Sequence, residues 1–236
     1  MLVSSRYTVR VLPQVAIVVP VLNEAASVPA LAQRLRGLSS HETLLVDGGS
    51  SDGTAQQLQA AGLAVCTSPR GRAQQMNTGA QQTQSGVLLF LHADTALTTS
   101  HVRCAQDAVQ AGVDFGCFTL RLDSLDPRLC LVAQLISLRS RLIVSATGDQ
   151  AIFIRRSLFE SLGGYREIAL CEDLDLVQRA RGRGRFVCID RPVQTSARRW
   201  QQRGILRTIL LMWALRLGCH AGIDPAALRR LYEDAR

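Results

Sequence analysis

The sequence predicts an α/β protein, a mostly parallel, Rossmann-like sheet flanked by helices and followed by an apolar C-terminal helix, and three observations carry that prediction. Short, continuous apolar runs rich in β-branched residues alternate with helical stretches through the first half, the pattern of βαβ units whose strands are buried on both faces. Several of these runs end directly on Asn, Asp or His, which places polar groups at the carboxyl edge of the sheet, where open α/β sheets build their ligand sites. The 236 residues are 47% hydrophobic, enough for a sizeable core, with no low-complexity linker and no internal repeat, so a single domain is expected, with its core over about 14–200 and a helical tail over about 201–236.

The elements follow in order. Strands are read at Val15–Pro20, Thr43–Val46, Leu63–Thr67 and Val87–Leu91, with helices at Ala25–Gly37, Thr54–Ala61 and Arg72–Gln82 between them. The second half is less regular. An extended Phe115–Leu122 is followed by a helix from about Pro127 to Val144, a strand at Ala151–Ile154, helices at Ser157–Leu162 and Glu172–Arg181, and a last apolar helix from Ile205 to Cys219.

Composition excludes some chemistry. Net charge is +8, and all 27 basic residues are Arg. Schiff-base or P-loop lysine chemistry is therefore absent, and phosphate must be met by guanidinium forks or backbone N–H groups. Aromatics are only 5% and no nucleic-acid-binding motif is found, so a phosphorylated small molecule or an anionic membrane surface fits the basic balance better. Cys66, Cys104, Cys117, Cys130, Cys171, Cys188 and Cys219 form no C-x-x-C pair and are odd in number, which favours reduced thiols in a cytoplasmic protein over a disulfide frame or zinc. Arg6 and Arg10 precede the first strand without an apolar signal segment. His41, His101 and His220 have no metal-ligand partner at helical spacing and read as surface or packing residues.

Six motifs carry the chemistry. The first strand ends Pro20-Val21-Leu22-Asn23-Glu24, where the Pro stops the ladder and Asn23 can turn the chain and cap the next helix. The second ends Asp47-Gly48-Gly49-Ser50-Ser51-Asp52-Gly53-Thr54. Its two glycines admit close backbone approach to a ligand, Asp47 offers acceptors to a base or ribose, and Asp52 can cap the following helix. Arg70 and Arg72 open a helix against its macrodipole, a misfit that a bound anion or simple solvation would relieve. The run Leu88–Leu91 leads into His92-Ala93-Asp94, where a carboxylate either caps a turn or holds a divalent cation. Further on, Thr147-Gly148-Asp149-Gln150 precedes a strand. Cys171-Glu172-Asp173-Leu174-Asp175 then sets three carboxylates at a helix start, where they either complement the dipole or point into a cleft, Asp175 excepted.

These motifs, in this order and spacing over roughly residues 14–200, resemble the family 2 glycosyltransferases of the GT-A fold (the nucleotide-diphospho-sugar transferase fold), and within them the small bacterial group found beside radical-SAM and selenoprotein genes. The resemblance implies transfer of a sugar from a nucleotide-diphosphate sugar, inverting and assisted by Mg²⁺ or Mn²⁺. By resemblance Pro20, Asn23, Glu24, Asp47, Gly49, Ser51 and Asp52 hold the nucleoside, Arg72 and Gln75 lie by the diphosphate, and Arg199 and Trp200 close over it. Asp94 with His92 takes the metal, Asp149 and Gln150 face the donor sugar or acceptor, and Asp173 is the base. Two positions depart from the family pattern: Gly48 stands for the second Asp of the strand-two motif, and His92 for the first Asp of the metal motif.

Two rival readings are a nucleotidyltransferase of related fold and a non-catalytic nucleotide-sugar-binding protein. The first wants a Gly-rich basic loop after strand one, where this chain has Pro-Val-Leu-Asn-Glu; the second has no use for a base. The segment Ile205–Leu217, 13 residues, is too short to cross a bilayer that needs about 20. It reads either as a helix packed on the domain or a homodimer partner, or as an interfacial helix at the inner face of a membrane that brings the site to a lipid-linked acceptor.

Overall fold

The computed structural model describes residues 12–234; the segment holding Arg6 and Arg10 lies outside them. Eight strands form one sheet: β1 (Val15–Val21), β2 (Glu42–Asp47), β3 (Val65–Thr67), β4 (Val87–Phe90), β5 (Thr95–Ala96), β6 (Phe115–Leu122), β7 (Ile152–Arg155) and β8 (Phe186–Thr195). Their order is β3-β2-β1-β4-β7-β6-β8-β5. The first half is parallel throughout, β1 pairing with β2 and β4, and β2 with β3. In the second half β7 enters antiparallel between β4 and β6, while β6 and β8 run parallel. The all-buried Ile152-Phe153-Ile154 of β7 reads identically in either direction, so sequence pattern does not reveal the reversal.

Both faces of the sheet are covered. Along β1, Val15, Ile17, Val19 and Val21 enter one apolar cluster, while Ala16 and Val18 enter the other. The first cluster is closed by α1 (Val28–Arg36), α2 (Thr54–Ala60), α4 (Thr99–Gln110) and α5 (Pro127–Ile143), the second by α3 (Arg72–Gln82), α6 (Arg156–Ser161) and α7 (Glu172–Ala180). A Cβ on Gly79 would lie 2.3 Å from Val18 Cγ1, so the missing side chain is what lets α3 press onto β1 and aim its N-terminus at the carboxyl edge. The chain ends in α8 (Arg198–Arg203), α9 (Ile205–His220) and α10 (Pro225–Asp234).

Two local readings change. Pro20 does not end β1, which runs to Val21 with Pro20 in register with Val46. Val18 O accepts from Leu91 N, so the missing N–H of Pro20 faces the side where β4 has already ended at Phe90. Asn23 does not cap α1, whose N-cap is Ser27; it adopts φ +53° and turns to the neighbouring loop instead. The cysteine expectation is also corrected, because Cys171 and Cys219 are disulfide-bonded. They are 48 residues apart, on α9 and just before α7, and only the fold brings them together.

Candidate active site

At the carboxyl edge the loops after β1 and β2 are stitched into one shelf. Gly48 N–H donates to Val21 O (3.0 Å), Ser51 N–H to Asn23 Oδ1 (2.9 Å), Asn23 N–H to Ser50 Oγ (2.8 Å), Glu24 N–H to Thr54 Oγ1 (2.8 Å) and Ala25 N–H to Asp52 Oδ2 (3.0 Å). Asp52 also accepts from Thr54 N–H at the start of α2. Pro20, Asn23, Glu24, Gly49, Ser51 and Asp52 thus share one surface. Asp47 is buried beneath it and both its oxygens are engaged, Oδ2 by the N–H groups of Gly49 and Ser50 and Oδ1 by the Ser50 hydroxyl. That carboxylate shapes the loop rather than presenting free acceptors to a base or ribose.

Gln75 and Gln150 are corrected in the same way. Gln75 is buried and its Nε2 donates to the carbonyls of Val21 (2.7 Å) and Val46 (2.8 Å), tying the ends of β1 and β2 to α3. A Cβ on Gly48 would meet the Gln75 amide at 2.9 Å, so the glycine at this motif position makes room for that glutamine. Gln150 is fully buried, donates to Phe118 O (3.1 Å) and accepts from Ser140 Oγ (3.0 Å). Neither amide can face a donor or acceptor. Trp200 packs against the core as well, leaving Arg199 with its guanidinium 5.2 Å from the centre of the Tyr232 ring.

The acidic centre lies past β4. His92, Asp94 and Asp149 bring one ligand atom each to within 4.8 Å of one another. His92 Nδ1 lies 3.0 Å from Asp149 Oδ1, and the loop is braced by the Arg34 guanidinium, which donates to Ala93 O at 2.6 Å. His92 Nε2 is buried without a hydrogen-bond partner and lies 4.0 Å from Asp173 Oδ2. Asp173, at the first turn of α7, is buried; its Oδ2 accepts the Gly148 N–H at 2.8 Å, and its carboxylate lies by the buried Tyr165 hydroxyl, whose pKa burial and the Asp173 charge push up. Arg72 from α3 reaches Glu172 at 3.5 Å. Asp175 faces away, bound to Arg179 and Arg166.

The electrostatics are those of a crowded ionic cleft. Burial would raise the Asp149 carboxyl, but the hydrogen bond and charge of His92, with Arg199 and Arg72, hold it down at about 2. Burial and the Arg72 charge push the His92 imidazole down; Asp149 and Asp173 outweigh them and the net shift is upward. Glu172 is raised, by burial first and then by Asp173. An imidazole and two carboxylates with an unpartnered buried ring nitrogen suit a divalent ion of the Mn²⁺ or Mg²⁺ type. Asp149, read from sequence as facing the reacting groups, therefore joins the metal-type donor set. Arg34 and Tyr165 were not found from sequence, since nothing local marks an Arg on α1, 59 residues before its partner Ala93, or a Tyr after two glycines as belonging to the site.

A half-parallel, half-mixed sheet with two interlocked loops at its carboxyl edge and an acidic centre beyond β4 has the architecture of an α/β transferase of the GT-A type. The chain belongs to glycosyltransferase family 2: the profile of "Glycosyl transferase family 2" matches residues 16–160. Comparison with curated protein sequences finds no match. Solved structures share the fold. TarS residues 1–349 of S. aureus, in complex with UDP-GlcNAc, superposes with a TM-score of 0.61 at 15% identity over 78% of this chain and 58% of that one. The mannosyltransferase PcManGT of Pyrobaculum calidifontis, with GDP-Man and Mn²⁺, gives 0.61 at 17% identity over 95% and 74%. Glucosyl-3-phosphoglycerate synthase of Mycobacterium tuberculosis, with Mn²⁺, UDP and glucosyl-3-phosphoglycerate, gives 0.58 at 16% over 78% and 70%. The chain thus spans a little under three-fifths of the TarS chain.

Proposed function

We propose that this glycosyltransferase acts as a single domain, takes a nucleotide-diphosphate sugar on the shelf formed by the loops after β1 and β2, and transfers the sugar with inversion to an acceptor hydroxyl. The observation that carries the reading is Asp173: a buried carboxylate with one oxygen fixed by Gly148 N–H, set beside the Tyr165 hydroxyl and the His92–Asp94–Asp149 group. Its fixed oxygen sets the orientation, and its other oxygen takes the acceptor proton. Arg72, at the N-terminus of α3, supplies positive charge where the diphosphate leaves. His92, Asp94 and Asp149 would hold the divalent ion, which when bound neutralises charge building on the leaving diphosphate. The bound nucleotides of the fold relatives support this reading, as does membership of the family. We place the chain in the group beside radical-SAM and selenoprotein genes on motif likeness. Asp173→Asn tests the reaction. It should keep donor affinity and lose about 10²–10⁴ in turnover; near wild-type turnover would remove Asp173 from the role of base.

We also propose a cellular site, argued from α9. Among the described residues no helix is long and apolar enough to cross a membrane. Leu206, Leu210, Trp213 and Leu217, at i, i+4, i+7 and i+11, are all exposed, while Thr208 and Leu215 face inward. Arg207 lies in its first turn, and Arg198 and Arg203 on the preceding α8. We place this face on the anionic inner leaflet of a membrane. Full-length protein should float with anionic liposomes at low salt, and Trp213→Ser with Leu210→Ser should not. Wild-type protein that stays at the bottom would leave a protein partner, such as a second copy, as the cover. Removing everything from Ile205 onward is an unsuitable control, because Ile205 and Ile209 pack on the core.

A further inference from the structure

Two of the free thiols stand opposite one another on neighbouring strands. Cys117 of β6 and Cys188 of β8 are register partners in the parallel pair. Both turn to the same face of the sheet: Phe115 and Cys117 belong to the second apolar cluster, and Phe186 and Cys188 pack against it. Neighbouring strands lie about 4.7–4.9 Å apart, inside the roughly 4.4–6.8 Å that a disulfide spans between Cα atoms. Directly after Cys117 the pairing of β6 with β8 shifts register, between Phe118 and Leu120, which gives β6 room for the small movement a bond requires. Cys66, by contrast, pairs with Val46, and Cys104 and Cys130 lie on helices.

The two thiols differ. Cys117 is fully buried, and Gln150 Nε2 donates to its sulfur at 3.7 Å. Cys188 is half-buried, and Arg141 stands at its outer side, its guanidinium 2.7 Å from Asp190, two residues further along β8. The hydrogen bond from Cys117, against the effect of burial, and then the Arg141 guanidinium bring the Cys188 thiol below the ordinary cysteine value. The bond to Cys188 and burial push Cys117 up. An accessible thiolate beside a buried neutral thiol is the arrangement of an attacking and a resolving cysteine.

We propose that Cys188 and Cys117 form a redox pair that a hydroperoxide closes to a disulfide, and that closure loosens the segment carrying Asp149. The Cys188 thiolate breaks the O–O bond of hydrogen peroxide, keeps one oxygen as a sulfenic acid and releases the other as hydroxide, which takes up a proton. The Cys117 sulfur then bonds to the Cys188 sulfur, and the sulfenic OH leaves with the Cys117 proton as water. The thiols are oxidised by two electrons and the peroxide is reduced to two waters. Closure draws Cys117 Sγ towards β8 and away from Gln150. That glutamine pins the turn before β7, donating also to Phe118 O and accepting from Ser140 Oγ, and its neighbour Asp149 belongs to the metal-type donor set. The effect on Asp149 rests on the metal reading above; the pair itself does not.

Peroxide treatment of the full chain, followed by peptide mapping and, once the peroxide is removed, Mn²⁺ calorimetry, tests the proposal. Mapping should find Cys117 linked to Cys188 with Cys171–Cys219 unchanged, and thiol labelling after unfolding should reach two cysteines fewer than before. Mn²⁺ affinity should fall about 2–10-fold, the worth of one hydrogen bond. Cys188→Ser should bind Mn²⁺ like the untreated wild type and lose both effects of peroxide, whereas Cys130→Ser should keep both. Cys117→Ala should stop at a sulfenic acid on Cys188 that dimedone traps; should it not fold, Cys117→Ser is read in the same way. A Cys188 that stays unmodified, is oxidised without a link or joins another cysteine overturns the pair. A Cys117–Cys188 link that leaves Mn²⁺ affinity unchanged overturns its hold on the Asp149 segment. If the untreated chain binds no Mn²⁺, the metal reading fails and the link still decides the pair.

Discussion

Gly148 N–H donates to Asp173 Oδ2 at 2.8 Å, which locks the segment carrying Asp149 to the helix carrying the proposed base. The contact leaves no room for a side chain. A Cβ on Gly148 would lie 2.0 Å from His92 Nε2 and 2.8 Å from Asp173 Oδ2. Gly148→Ala must therefore displace either the imidazole or the carboxylate. A misplacement of about 1 Å at reacting groups costs about 10² in rate, and overpacking costs about 1–3 kcal/mol of stability. Turnover and melting temperature measured together should both fall, turnover by far the more.

Gln75→Leu should destabilise the fold without touching the chemistry directly. It removes one buried amide from the carbonyls of Val46 and of Val21, the latter keeping the Gly48 N–H. Each unsatisfied buried acceptor costs about 1–3 kcal/mol. The urea midpoint should shift accordingly, and nucleotide affinity should drop because the shelf is built on those two strand ends.

Cys171→Ser should lower stability by about 4 kcal/mol for a closed loop of 48 residues, in the chain-entropy view. The same loss should follow reductant in the wild type and be absent in the variant. Thiol labelling of the unreduced, unfolded wild-type chain should find five free cysteines.

Metal affinity should depend on pH through His92. Its pKa is raised by Asp149 and Asp173 against the pull of burial, and a metal needs the neutral ring. Mn²⁺ affinity should therefore climb as pH rises through that raised value, and should stay flat in His92→Gln. Without metal the sign reverses. The His92–Asp149 pair stabilises the fold fully below the ordinary His value of about 6.5 and above the ordinary Asp value of about 3.9. That stability is lost as pH rises through the raised His92 value, or falls towards the about 2 of Asp149.

The first half of the fold was legible because each strand there is an unbroken apolar run ended by a motif residue, from Val15–Val21 through Val87–Phe90. In the second half the helices α5, α6, α7 and α9 and the strands β6 and β7 were also read, but β8 was not. β8 mixes exposed residues with Pro192 and earns its place through pairing with β6, a relation no local pattern carries. α4, whose N-cap Thr98 and His101 form a capping box, was missed for a local reason, since His is an unusual partner in that motif. At the site, residue types were legible but their neighbours were not. Gln75 and Gln150 stand in motif segments and were read as ligand contacts, yet both are buried donors to backbone carbonyls. The Cys171–Cys219 bond joins segments far apart in sequence, and only tertiary structure reveals it.

The most direct test of the central claim is a thermal-shift series with nucleotide sugars, with and without Mn²⁺, on the wild type and on Asp94→Ala. A donor at about 100 times its Kd stabilises by about 2.7 kcal/mol, a rise of about 5–10 °C for a chain of this length. The account predicts that rise for at least one UDP- or GDP-sugar, larger with Mn²⁺ than without, and a loss of the Mn²⁺ increment in Asp94→Ala. No shift with any nucleotide sugar, or a Mn²⁺ increment that survives Asp94→Ala, would contradict it.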